Sequence, residues 1–247
     1  MTNTGTSAKA APVATALLLS SDDATVKQIS DGLEQFAVTV EVCGDPASAM
    51  LSLNRHHFEA VIIDLQLGDH ACEVLERVRF APSNHNAATF AVTAGGVEST
   101  RAFDAGSNFV LERPLSPEAI HRSFRVAYGL IMRERRRYFR CPATLPAVLR
   151  SHEGGELQCK TLNISENGMA LSAPIALKPG SEVLVAFSLP DMPGRFTAES
   201  RICWSDGTGR MGLQFLNLSA DKKTELQSWL ARRLEEVLPE TVANKFH

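Results

Sequence analysis

Three arginines, Arg135, Arg136 and Arg140, form an RRxxxR pattern inside the run Arg133-Glu134-Arg135-Arg136-Arg137-Tyr138-Phe139-Arg140. A guanidinium is always charged and presents a planar fork of donors, which matches phosphate oxygens and the O6/N7 edge of guanine. Some two dozen residues later stands Asn163-Ile164-Ser165-Glu166-Asn167-Gly168, an N-x-S-x-x-G pattern. Its short polar side chains suit hydrogen bonds to a base or a phosphate. Gly168 is expected to take a positive φ in a tight turn and to let a ligand approach the backbone. Each pattern alone has a plainer reading. An arginine run is most often a solvated helix face, and with Tyr138 and Phe139 beside it could instead touch RNA bases. Asn163-Ile164-Ser165 and Asn217-Leu218-Ser219 are also glycosylation sequons, and Asn167-Gly168 by itself reads as a hairpin turn. A further candidate, Asp64, closes the apolar run Val61-Ile62-Ile63, a place where an isolated aspartate is commonly structural. Trp204, at a strand end, reads more readily as core packing than as a stacking platform. His56, His57, His70, His85, His121 and His152 have no metal-ligand spacing. There is no glycine-rich phosphate loop and no nucleophilic triad, so neither a metal site nor catalysis is expected.

These residues need two scaffolds. A chain of 247 residues fits two compact domains. With 25 basic and 28 acidic side chains the net charge is -3, so general attraction to nucleic acid or an anionic membrane is not expected. The five cysteines, Cys43, Cys72, Cys141, Cys159 and Cys203, are scattered without a CxxC pair, as in a reducing cytosol. Leu17-Leu18-Leu19 reads as a buried strand rather than a targeting signal, and no apolar run reaches the ~20 residues of a membrane span.

In the first half, apolar runs at Ala16–Leu19, Val38–Val42, Ala60–Ile63, Thr89–Val92 and Phe109–Leu111 alternate with helix-period stretches. The last helix is the clearest, with Ile120, Phe124, Ala127, Tyr128 and Ile131 on one face. Asp45-Pro46 and Ser116-Pro117 mark helix starts. Five βα repeats imply a doubly wound parallel sheet with its site at the carboxyl ends of the strands. At those ends Asp64, Thr93 and Arg113-Pro114 resemble a response-regulator receiver domain. The resemblance implies that Asp64 is a phospho-acceptor, that an acidic pair after the first strand holds Mg²⁺, and that a lysine precedes the proline. Here the lysine position is Arg113, and alignment through Val26 and Ile29 puts Ser20-Ser21 where the acidic pair belongs. Asp22 and Asp23 then fall one turn late, suited to cap the helix. A degenerate receiver used for docking or homodimerisation is expected, without Mg²⁺.

Beyond Pro142 and Pro146 the period changes to two. Strands are expected at Ala147–Ser151, Leu157–Asn163, Met169–Ser172, Glu182–Ser188, Thr197–Trp204 and Gly212–Leu216, separated by turns such as Gly154-Gly155 and Lys178-Pro179-Gly180. A final helix carries Leu226, Trp229, Leu230, Leu234 and Val237 on one stripe. This is a six-stranded antiparallel β-barrel with a terminal helix. With both motifs in this order, the half resembles the PilZ family. That resemblance implies cyclic di-GMP bound by Arg135, Arg136, Arg140, Asn163, Ser165 and Gly168, the arginines lying on a flexible segment that wraps round the ligand. The expected organisation is a loose tail over 1–14, a receiver-like domain over 15–132, an arginine-rich linker over 133–142, a PilZ-like domain over 135–238 and a tail over 239–247. The expected function is a non-catalytic cytoplasmic bacterial regulator that passes cyclic di-GMP binding to inter-domain arrangement and an unidentified protein partner. Two alternatives stand beside it: a phosphorylation-driven response regulator with the barrel as docking module, and a nucleic-acid-binding adaptor. One bound ligand or a stacked pair is left open.

Overall fold

The computed structural model describes residues 14–151 and 155–237. The N-terminal tail other than Ala14, His152, Gly154, the side chain of Val237 and the C-terminal tail lie outside the described residues. The chain divides into two compact units, one ending at Arg135 and the other running over Arg136–Val237.

The first unit is a doubly wound α/β sheet. Strands β1 (Ala14–Leu19), β2 (Val38–Cys43), β3 (Ala60–Asp64), β4 (Ala88–Thr93) and β5 (Phe109–Glu112) lie in the order β2-β1-β3-β4-β5. All four pairings are parallel. Side chains alternate across each strand, so β1 sends Ala14, Ala16 and Leu18 to one face and Leu17 and Leu19 to the other. Both faces must therefore be covered, as a parallel sheet requires. Helices α1 (Asp23–Glu34) and α5 (Pro117–Tyr138) cover the first face with Ile29, Leu33, Ile120, Phe124, Ala127 and Ile131. Helices α2 (Pro46–Arg55), α3 (Asp69–Val78) and α4 (Val97–Asp104) cover the second. The helix starts follow the sequence signals. Asp22 caps α1 through the Thr25 amide at 3.0 Å, and Asp45 caps α2 through the Ser48 amide at 2.9 Å with Pro46 in the first turn. In α4 the buried residues are Ser99 and Ala102, whereas Phe103 is 54% exposed.

The second unit is a closed antiparallel barrel of six strands: β7 (Pro146–Ser151), β8 (Glu156–Ser165), β9 (Gly168–Ser172), β10 (Glu182–Phe187), β11 (Phe196–Ser205) and β12 (Arg210–Asn217). The order β8-β7-β10-β11-β12-β9 is closed by pairing of β8 with β9, which removes open sheet edges. A two-residue strand, β6 (Cys141–Pro142), adds to β8. Leu149, Val185, Phe187, Phe196, Ile202 and Met211 are buried. Helix α6 (Ala220–Val237) buries Leu226, Trp229, Leu230 and Leu234, and its Lys222 ammonium sits 4.8 Å above the Phe196 ring.

In the first unit, Phe124 stacks on Phe90 with ring centroids 4.2 Å apart. Phe124→Ala is expected to destabilise that unit by about 3–5 kcal/mol. Urea unfolding followed by far-UV circular dichroism should show the shift. The fluorescence of Trp204 and Trp229, both in the second unit, should keep its native emission maximum in the absence of urea.

Candidate functional site

At the carboxyl end of the parallel sheet Asp64 is buried, and its carboxylate accepts three hydrogen bonds. Ser20 Oγ donates to Oδ2 at 2.8 Å, Arg113 Nη2 donates to the same oxygen at 2.7 Å, and the Gln66 amide donates to Oδ1 at 3.2 Å. Arg113 Nη1 also donates to Thr25 Oγ1 at 2.8 Å. Ser20 follows directly on β1 and so stands beside Asp64. Asp22 serves as the α1 cap, and the Thr25 hydroxyl hydrogen bond holds its carboxyl below the usual range. A hard divalent cation wants several oxygen ligands with free lone pairs. Here the Asp64 carboxylate is ion-paired to Arg113, whose other terminal nitrogen lies 3.7 Å from the Asp22 carboxylate, itself engaged in capping α1. With both carboxylates taken up in this way the residues do not fit Mg²⁺. Thr93 is also buried; its hydroxyl shares a hydrogen bond with Ser99 Oγ at 2.9 Å, and Ser99 donates onward to Glu112 at 2.8 Å. Among the described residues no cluster of His, Cys, Asp or Glu could hold a metal ion.

The second unit builds a different site from the two sequence motifs. The bridge between Cys141 and Ile164, and between Pro142 and Asn163, fixes the register. Counting back one residue places Arg140 opposite Ser165. Ser165 and Gly168 close a hairpin whose loop is Glu166-Asn167, and Ser165 Oγ donates to the Gly168 carbonyl at 3.0 Å. Gly168 is not among the glycines at positive φ. Its missing side chain is needed for another reason: a Cβ there would lie 2.1 Å from the Leu213 carbonyl oxygen of β12. The expected left-handed turn is thus replaced by a close strand crossing.

Two β-bulges shape the wall beside that hairpin. In β8 the register shifts between Thr161 and Asn163, and in β11 between Ile202 and Trp204. One extra residue flips the side chains that follow to the opposite face. Asn163 and Trp204, which simple alternation would send into the barrel, are turned onto its outer wall. Trp204 is 47% exposed and lies across Gly212, where a Cβ would sit 2.0 Å from the indole nitrogen. The core position expected for it is therefore not the observed one.

The result is a cleft of about 480 Å³ lined by Arg140, Asn163, Ser165, Gly168, Trp204 and Gln214, among others. A second cleft of about 220 Å³ shares Arg140, Ser165 and Asn167 and adds Arg137 and Tyr138. Arg140 is exposed, whereas Asn163 Oδ1 is fully buried and has no hydrogen-bond partner. A buried acceptor without a donor is costly, so a donor on a bound molecule would relieve it. Of the residues singled out in the sequence, Arg140, Asn163, Ser165 and Gly168 come together here. Arg135 and Arg136 line neither cleft. They lie on α5 rather than on a flexible segment, and Arg135 is ion-paired to Glu59 of the first unit at 3.5 Å. Arg137 and Trp204 are further lining residues, outside the set that the motifs single out. The arginine spacing along a helix could have pointed to the first; the bulge that exposes the second leaves no mark in a single sequence.

Breaking the Asp64–Arg113 pair should unsettle the first unit, because the Asp64 side chain is 2% exposed and that of Arg113 only 20%. Asp64→Ala leaves a mostly buried cation with only the half-exposed Asp22 carboxylate, 3.7 Å away, as counter-charge, and is expected to cost up to about 3–5 kcal/mol. Urea denaturation should show the loss. Asp64→Ala/Arg113→Met should recover part of it.

Residues 134–232 match the model of the family described as PilZ domain. Solved structures similar to the chain include the chemotaxis response regulator CheY4 of Vibrio cholerae, 17% identical, with 46% of this chain and 97% of that one covered and a TM-score of 0.43. The CheY-like receiver domain protein of Methanospirillum hungatei is 18% identical, with 49% and 98% covered and a TM-score of 0.44. The receiver domain of a sensor histidine kinase of Pseudomonas aeruginosa is 20% identical, with 48% and 98% covered and a TM-score of 0.43. No curated protein matches the chain.

Proposed function

We propose, from the match of residues 134–232 to the PilZ domain family, that the protein is a non-catalytic bacterial signalling regulator of the cytoplasm that binds cyclic di-GMP on the barrel wall. The observation that carries this reading is the buried, unpartnered Asn163 Oδ1 in a cleft shared with the exposed Arg140 and Trp204. Guanine has N–H donors for that acceptor, a planar face for the indole and an O6/N7 edge for a guanidinium. The phosphates of the ligand take further guanidiniums in forked pairs. Arg135, Arg136, Arg140, Asn163, Ser165 and Gly168 form the proposed ligand set, joined by Trp204. Ser165 and Gly168 act through the hairpin they lock.

In this reading, binding alters the arrangement of the two units and thereby contact with a protein partner. What supports it is that the RRxxxR motif begins on α5, the last helix of the receiver-like unit. Among the described residues no helix is long and apolar enough to cross a membrane. The close pairing of the Asp64 carboxylate with Arg113 weighs against phosphorylation as the input. Mg²⁺-dependent labelling of Asp64 by a small phosphodonor would favour that alternative.

Calorimetric titration with cyclic di-GMP is expected to give micromolar or tighter binding, about -8 kcal/mol or more favourable. Arg140→Ala should weaken it by roughly 10–150-fold through loss of one charge-assisted contact. Trp204→Ala should cost about 1–3 kcal/mol if a base stacks there. Absence of heat, together with absence of competition at high protein concentration, would overturn the proposal.

A further inference from the structure

Glu59 precedes β3 at the end of the sheet opposite Asp64, and its side chain is only 3% exposed. One carboxylate oxygen, Oε2, accepts the Thr15 backbone N–H at 2.7 Å. The other, Oε1, has two cationic neighbours: Arg135 Nη1 at 3.5 Å and His57 Nε2 at 3.7 Å. A buried carboxylate needs a counter-charge, and removing its partner is strongly unfavourable. Arginine provides that charge at every physiological pH, whereas histidine does so only when protonated.

The same Arg135 belongs to the RRxxxR motif. Its hold on Glu59 is long for a charge-assisted hydrogen bond, and its Nε is buried without an acceptor. A fork engaged in this way is needed by Glu59 yet incompletely satisfied itself. A phosphate would take it bidentately. Resting on the ligand reading above, we propose that Glu59 competes with cyclic di-GMP for Arg135, so that a buried carboxylate of the receiver-like unit sets the affinity of the second-messenger site. Release of Arg135 is then the event by which binding is felt at the floor of the parallel sheet, beside Thr15. Linkage makes the effect reciprocal: whatever strengthens the Glu59–Arg135 pair weakens the ligand by the same factor. If Arg135 is free of Glu59 in about a tenth of molecules, apparent affinity is lowered about tenfold.

The test titrates the full chain with cyclic di-GMP as wild type, Glu59→Gln, Arg135→Ala, Arg140→Ala and the Glu59→Gln/Arg135→Ala double variant. Glu59→Gln keeps an acceptor for the Thr15 N–H and removes the charge that holds Arg135. It should tighten binding on the order of tenfold, and this gain should vanish in the Arg135→Ala background. Binding by a folded Glu59→Gln chain that equals or falls below wild type, with Arg140→Ala still impaired, would overturn the competition and leave the ligand site standing. Binding by Glu59→Gln alone would support the competition in its strongest form. Failure of both wild type and Glu59→Gln to bind would overturn both proposals. Should Glu59→Gln not fold, the Thr15 amide resonance of the wild-type chain decides. It should shift on saturation with ligand, and an unmoved resonance would count against the proposal.

Discussion

A two-residue bridge, Cys141 with Ile164 and Pro142 with Asn163, is the contact on which the candidate site depends. The arginine run and the N-x-S-x-x-G segment are some two dozen residues apart, and neither has reason to meet the other until this bridge sets their register. Once it forms, Arg140 stands opposite Ser165, and the hairpin beyond Ser165 brings Gly168 against Leu213. Cys141 is buried and its thiol is pushed up by desolvation, so the bridge is anchored by an inert apolar group rather than by an exposed reactive one. Pairing of β8 with β9 closes the barrel and sets Asn163, Ser165 and Gly168 on one cleft.

The arginines divide into two physical roles. Arg113 and Arg135 answer the needs of buried carboxylates, Asp64 and Glu59, at opposite ends of the parallel sheet. Arg140 faces solvent beside an acceptor that lacks a donor. A guanidinium at Asp64 neutralises the charge that a receiver would use to recruit a cation. Ser20 and Arg113 both donate to the same Asp64 oxygen. Arg135, which answers Glu59, also opens the RRxxxR run.

Much of this was legible in the chain. The change of apolar period near Pro142 separates the sheet from the barrel, and the strand runs match the observed strands to within a few residues because each is buried on at least one face. Asp45-Pro46 and Ser116-Pro117 mark helix starts by local stereochemistry alone. Asp22 as the cap of α1 is likewise a local fact, read from helix register through Val26 and Ile29. These features depend on near neighbours, so sequence carries them.

What the tertiary structure decided is which way particular side chains face. Alternation would place Asn163 and Trp204 inside the barrel; bulges at Leu162 and Cys203 turn them out, and a bulge arises from pairing with another strand. Gly168 is required by a carbonyl of β12 rather than by its own φ, a contact between residues far apart in the chain. Arg135 is a ligand residue by the family resemblance, and only the fold pairs it with Glu59. Sequence by itself determined the two folds and the place of the RRxxxR and N-x-S-x-x-G patterns at the start of the barrel, because periodicity and turn chemistry are local. Only the folded chain decided the partners of its charges and the facing of its cleft, because those follow from long-range register and from the need of every buried charge to be answered.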